Sequence, residues 1–227
     1  GGRIHKEMFE LINANYDVIM NAKPSVSKNS SGYYLWNVYD KANETFDLSK
    51  LIVGSQGTLA TVTSATLTGV KPKLHSRMLI MFVPSTVHLG EIIVKLLNHK
   101  PETIESYDDN TFKIAIKFFK DIALRMGGNM FTLGFQFLPE FFMVLTGGVP
   151  KIILMAEFTG DTEAEVDAQV TAAYEDMKSF GLPIKKTTQE WEAKKYWTFR
   201  RESFSLLRKR LQGMRTAPTI DDIVVHP

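Results

Sequence analysis

Leu51-Ile52-Val53-Gly54-Ser55-Gln56-Gly57-Thr58-Leu59-Ala60-Thr61-Val62-Thr63 is the stretch on which the reading of this chain turns. Gly54 and Gly57 stand three apart and supply a tight backbone turn, while the threonines and valines after them favour an extended segment. Leu59, Val62, Ala65, Leu67 and Val70 continue that segment. Two glycines with Ser, Gln and Thr between and beside them can present backbone N–H groups and hydroxyls to an anion such as a pyrophosphate. A plain hairpin or strand-entry turn needs the same residues. Spacing alone leaves both readings open, and the plain turn is the simpler.

Outward from this stretch, the chain changes texture at Lys71-Pro72-Lys73, since proline blocks strand continuation. Before it lie Asn-, Ser-, Thr- and Gly-rich residues with short apolar alternations. After it, Arg77 to Val83 is apolar on both alternating faces and reads as a buried strand. A helix follows with Val87, Gly90, Ile93, Val94 and Leu97 at helical spacing, then a strand over Thr103 to Tyr107. The next helix is expected to be capped by Asp109, to place Phe112, Ile116, Phe119 and Ala123 on one side, and to stop at Gly127-Gly128. Lys151 to Phe158 reads as a second buried strand. Gly160-Asp161-Thr162-Glu163 then opens a long helix with Val166, Val170, Ala173 or Tyr174, and Met177 inward, ended by Gly181-Leu182-Pro183. A strand over Ile184 to Thr187 and a helical stretch from Gln189 to Gln212 complete an α+β pattern with helices on one sheet face.

Composition narrows the function classes. The 227 residues carry a net charge of +2, too little to argue for nucleic acid. There is no cysteine, so disulfides and thiolate metal sites are excluded. This composition fits a reducing, cytoplasmic setting. The five histidines (His5, His75, His88, His99 and His226) form no metal-spaced pair, and no metal site is expected. No Gly-x-Ser-x-Gly elbow, Walker loop or Gly-x-Gly-x-x-Gly is present. No apolar run reaches the roughly 18 residues of a membrane span. No signal peptide is visible, and the ends at Gly1-Gly2 and His226-Pro227 read as cut points.

Family resemblance sharpens the glycine turn. The opening stretch resembles "L-x-x-G-S-E-G-T-L-G-I-I-T", which ends the FAD-binding (PCMH-type) domain of vanillyl-alcohol-oxidase type FAD-linked oxidases. It is especially similar to the branch holding glycolate oxidase, D-lactate dehydrogenase and D-2-hydroxyglutarate dehydrogenase. Lys28-Asn29-Ser30-Ser31-Gly32-Tyr33-Tyr34-Leu35 resembles that branch's "K-N-S-T-G-Y-N-L". Ala65-Thr66-Leu67 with Lys71-Pro72 is similar to its exit into the cap. Trp197-Thr198-Phe199-Arg200-Arg201-Glu202 resembles "W-x-x-R-E", and Asp221-Asp222-Ile223-Val224-Val225 resembles the return into the flavin domain. Gln56 replaces the usual glutamate, and Ala60 and Thr61 stand for a glycine and a branched apolar residue.

The resemblance implies the end of an FAD-binding domain over residues 1–73 and an antiparallel-sheet, ferredoxin-like cap over 74–227. It implies FAD contacts from Asn29, Ser31, Gly32, Tyr33, Gly54, Ser55, Gln56, Gly57, Thr58, Leu59 and Val62. Arg200 and Arg215 are the implied grips for the carboxylate of a small 2-hydroxy acid, because guanidinium binds carboxylate through two parallel bonds. Against this, Arg200, Arg201, Arg208, Lys209, Arg210 and Arg215 also suit a solvated helix face. Phe204 stands where the branch can present a hydroxyl, and the electron acceptor is left unassigned. The family's N-terminal FAD loop and C-terminal "H-G-D-G-N-x-H" motif are not in this sequence, so the chain alone is expected to be inactive, and its catalytic residues are left unassigned. A stand-alone docking module is the alternative. Trp191, Trp197, Phe199, Phe204 and the Phe131–Phe142 run suit core packing or a substrate pocket. That run and Phe204 to Arg215 also suit peripheral membrane contact.

Overall fold

The computed structural model describes residues 2–26, 32–117, 148–189, 192–194, 196–198 and 200–202. They divide into two compact units that meet in sequence between Val70 and Lys71.

The first unit opens with helices α1 (Gly2–Ala14) and α2 (Tyr16–Asn21), where the sequence suggests only short apolar alternations. Met8 and Ile12 stand four apart and so share one face of α1. Ile12 is buried with Val38 and Leu51, and Met8, Ile19, Leu35, Tyr39, Phe46 and Leu48 pack around them. A hairpin of β1 (Tyr39–Asp40) and β2 (Thr45–Phe46) follows. Its turn is fixed by the Asp40 carboxylate, which accepts from the Ala42 and Asn43 amides at 3.0 and 3.2 Å. Phe9 meets Tyr39 and Phe46 edge-on, with ring centroids 5.1 and 5.6 Å apart. One short helix, α3 (Ser49–Ile52), then delivers the chain to the glycine turn.

The threonine-rich segment after that turn departs from expectation. Residues 60–73 form no strand, and Val62, Leu67 and Val70 are exposed. Propensity fits a residue to a pleated surface, but a strand exists only where a neighbour accepts and donates its ladder bonds. No strand among the described residues pairs with this segment.

The second unit is an antiparallel four-stranded sheet in the order β4-β5-β3-β6. Its strands are β3 (His75–Val83), β4 (Thr103–Asp108), β5 (Ile152–Gly160) and β6 (Ile184–Lys186). β3 and β5 pair from His75↔Gly160 to Val83↔Ile152, as their two-sided apolar composition requires of central strands. Alternation sends Leu79, Met81, Val83, Leu154, Ala156 and Phe158 to one face. There they meet α4 (Leu89–Leu97) and α6 (Glu163–Met177) through Ile92, Leu96, Val170, Ala173 and Met177. The expected inward face of α6 is the observed one. In α4 it is rotated, since Val94 and Leu97 are exposed and the i, i+4 pair Ile92 and Leu96 carries the burial.

Caps explain the helix starts. Thr162 accepts the Glu165 amide at 3.2 Å while the Glu165 carboxylate accepts the Asp161 amide at 2.9 Å. That carboxylate lies so close to Gly160 that a Cβ there would sit 2.6 Å from it, and a side chain at this position would have to displace the capping Glu165 and press on Val166. Helix α5 (Asp109–Lys117) corrects the expected cap: Asp108, not Asp109, accepts the Thr111 amide, at 2.8 Å. An N-cap must reach the amide three residues on, which Asp108 does. Asp109 instead pairs with Lys113 and Lys151.

One ionic clamp ties α6 to the sheet and a second ties α6 to the α4 end. Arg77, almost wholly buried, donates through Nε to Asp167 of α6 at 2.7 Å. Asp176 of α6 holds Lys95 of α4 at 2.8 Å and His99 at 2.9 Å. The hydrogen bond from Lys95, and next that from His99, keeps the Asp176 carboxyl below its ordinary range. A lowered carboxylate contributes stability that is full above the unfolded value and vanishes as pH falls through the folded one. Asp176→Asn is therefore expected to melt earlier than the parent near neutral pH. The two melting temperatures should converge below about pH 4, in the range where carboxylates protonate. A gap that stays constant from pH 7 to pH 3 would rule out this linkage.

Candidate functional site

The glycine turn begins where α3 ends. Val53 is extended, and the Ser55 amide donates back to Ile52 O at 3.1 Å. Gly54, Gln56 and Gly57 then adopt left-handed conformations at φ 81°, 52° and 76°. Glycine takes these at no steric cost; for Gln56 the same region costs about 1 kcal/mol. The turn is closed by Thr58, whose amide and hydroxyl both donate to Ser55 O, at 3.0 and 2.6 Å.

Thr58 also joins the two motif-bearing segments. Tyr33 Oη lies 2.9 Å from Thr58 Oγ1, across 25 residues of sequence. A threonine hydroxyl has one proton, already given to Ser55 O, so the tyrosine is the donor. Gly32, Tyr33, Gly54, Ser55, Gln56 and Thr58 together line an open pocket of about 270 Å³. The amides of Gln56 and Gly57 donate to no acceptor among the described residues. Paired donors beside a small hollow suit the oxygens of a phosphate or pyrophosphate. The volume lies below the roughly 300–1,000 Å³ of sites that enclose a whole small molecule, so this pocket suits part of a dinucleotide.

Of the eleven residues expected at the cofactor, the structure brings Gly32, Tyr33, Gly54, Ser55, Gln56 and Thr58 to one pocket, and Gly57 lies within its turn. Leu59 and Val62 are exposed and outside the lining. Asn29 and Ser31 lie outside the described residues.

A second pocket lies in the second unit, on the sheet face opposite α4 and α6. Glu105 of β4 and Glu157 of β5 point to that face, because their neighbours Ile104, Ala156 and Phe158 point to the other. Helical turns between 192 and 202 cover it. Thr188 opens them, with its amide and that of Gln189 donating to Glu192 at 2.6 and 3.2 Å. Ala193 and Tyr196 are buried. The Glu157 carboxylate accepts from Trp197 and Ser76; Arg200 Nε stands 3.3 Å from Glu105 Oε2. Burial pushes the Glu157 carboxyl above its ordinary value, partly offset by the Trp197 and Ser76 hydrogen bonds. Among the described residues, a hollow of about 340 Å³ is lined by Ser76, Glu157, Ala193, Lys194, Trp197 and Arg201.

Sequence reasoning placed Arg200 on this helical stretch but missed Glu105, Glu157, Lys194 and Arg201. One signal was available for Glu157: it is the single charge inside the apolar run Ile152 to Phe158. Arg215, Phe204, Trp191, Phe199 and the Phe131–Phe142 run lie outside the described residues. Among the described residues no group of three or more His, Asp or Glu side chains is placed to hold a metal, and no helix is long and apolar enough to cross a membrane.

Residues 73–227 match the family model described as FAD linked oxidases, C-terminal domain. The chain is 23% identical over its full length to a D-2-hydroxyglutarate dehydrogenase of Pseudomonas putida, of which it covers 21%. It is 22% identical over its full length to that of Escherichia coli, covering 22%. It is 24% identical over 75% of its length to that of Pantoea ananatis, covering 15%. The chain thus spans about a fifth of the length of the first curated relatives it matches.

Proposed function

The chain belongs to the family of FAD linked oxidases, C-terminal domain, and from that premise we propose that it is part of an FAD-dependent oxidoreductase that oxidises a small 2-hydroxy acid. The observation that carries the reading is the Tyr33–Thr58 hydrogen bond, which closes two separate motif segments around one pocket with donor amides. The residues present fit a phosphate-bearing part of the cofactor. Gln56 and Gly57 would offer their amides to it, and Tyr33 and Thr58 would hold the turn in shape. FAD, when bound, supplies the two-electron redox chemistry.

The rest falls to this chain's own side chains. Arg200 is the proposed counter-charge for the substrate carboxylate, oriented through Nε by Glu105. Trp197, one helical turn before it, is held by Glu157 and walls the same sheet face. Residues 1–73 are proposed as the end of the cofactor domain and 74–227 as the cap over the substrate.

The test uses the protein at its full natural length. It should purify with a visible flavin absorbance band and reduce a dye when given 2-hydroxy acids. Arg200→Ala should lower kcat/KM for such acids by about 2 kcal/mol of transition-state binding, roughly thirtyfold, with flavin content unchanged. A colourless full-length protein that takes up no flavin would defeat the reading. An unchanged kcat/KM would remove Arg200 alone.

A further inference from the structure

We propose that Glu157 is a positioning residue for Arg200: by accepting the Trp197 indole N–H, it fixes where the 192–202 helical turns lie on the sheet and so where Arg200 stands. This rests on the reading of Arg200 as the counter-charge for the substrate carboxylate.

Polar ties between these turns and the sheet follow the order of the strands. Glu192 reaches Lys185 of β6 at 3.7 Å. Trp197 donates to Glu157 of β5, which also accepts from Ser76 of β3. Arg200 Nε reaches Glu105 of β4 at 3.3 Å. The Glu157 tie is the central one. The outer two are partly exposed ion pairs, which hold long side chains only loosely. Ala193 and Tyr196 of the turns are buried, as are Met78, Ile80 and Met155 on the same sheet face as Glu157. Apolar burial draws two surfaces together without choosing their register, because it has no direction. An N–H aimed at a carboxylate oxygen has direction, and it is among the stronger hydrogen bonds. Trp197 and Arg200 stand three apart and share one face of the turns. A shift at Trp197 therefore carries Arg200 with it.

Stability does not account for this carboxylate. Glu157 lies in the apolar run Ile152 to Phe158, and burial pushes its carboxyl above the ordinary value despite the bonds from Trp197 and Ser76. Methionine has nearly the same length, no charge to desolvate and no oxygen for the indole N–H. Glu157→Met thus removes the direction and leaves the packing, while Glu157→Gln keeps an acceptor oxygen.

Kinetics and hydrogen exchange on the full-length protein provide the test. Glu157→Met should melt no earlier than the parent. Amide exchange read by mass spectrometry should be faster over residues 192–202 and unchanged over β3. The value of kcat/KM for 2-hydroxy acids should fall about tenfold, short of the roughly hundredfold that an ångström of misplacement can cost. The fall should lie in KM, with kcat kept, as expected for a weakened counter-charge. Glu157→Gln should match the parent in every respect. Added to Arg200→Ala, Glu157→Met should change kcat/KM by less than about twofold further, because it acts through Arg200. The proposal is overturned if exchange over 192–202 is unchanged, if the two losses add in full, or if Glu157→Gln is as impaired as Glu157→Met. A melting temperature lowered in step with the activity would mark a merely structural carboxylate and overturn it too. An unchanged kcat/KM in Arg200→Ala alone would instead sink the reading of Arg200, told apart by exchange that is still faster in Glu157→Met.

Discussion

Phe158→Ala is expected to lower the unfolding free energy of the sheet unit by about 3–5 kcal/mol, the cost of emptying a well-packed aromatic site. Phe158 is 1% exposed and sits on the helix-bearing face of β5, the second of the two central strands. Its neighbours cannot collapse easily into the hole. Beside it the sheet is fixed in register with β3, opposite Arg77, which is itself clamped to Asp167. A domain of this size has a total margin of about 5–15 kcal/mol, so the variant should stand near the edge of folding at physiological temperature. Urea titration is the measurement, and the midpoint should fall while the slope stays the same. Phe158→Leu, which keeps most of the volume, should cost less, about 1–2 kcal/mol. A loss under 1 kcal/mol for the alanine variant would mean that this face is not the core of the unit.

Gly57→Val is expected to strip the full-length protein of its flavin while leaving the sheet unit folded. At φ 76° a residue with a Cβ loses about 1–2 kcal/mol, and a β-branched one more. A Cβ at Gly57 would meet nothing within 4 Å, so the penalty belongs to the backbone and not to crowding. The turn can relieve it only by leaving the left-handed conformation. That would reshape the turn that carries the Gln56 and Gly57 amides beside the pocket and pull Thr58 away from Tyr33. Flavin affinity should fall by about tenfold to a hundredfold, equivalent to roughly 1.4–2.8 kcal/mol. Gly69 supplies the control: it too has open space around a Cβ, but its φ lies outside the left-handed region, so Gly69→Val should retain flavin. If the Gly57 variant kept its flavin at the parental level, the turn would have no part in holding the cofactor.

Much of the sheet unit is legible before any coordinates. β3 and β5 are written as runs apolar on both faces, and α6 as a threonine–glutamate cap followed by Val166, Val170, Ala173 and Met177. The left-handed turn is legible in the same way, because only a few residue types take positive φ without strain. Such features depend on residues within a turn or two of one another. Where the local signal was weak, the reading slipped: the α4 face and the Asp108 cap each moved by a residue or so, and α1 was not seen as a helix.

Tertiary structure alone decided the rest. No periodicity says that Tyr33 donates to Thr58, nor that Glu105 and Glu157 share a face with Trp197 and Arg200. The Thr61–Val70 segment makes the converse point, with every local preference for a strand and no strand beside it among the described residues. Backbone conformation is chosen by short-range sterics, which one stretch of sequence contains in full. A ladder, a pocket or an ion pair also needs a second stretch, brought alongside by burial of apolar surface elsewhere, and that partner is not written in the first.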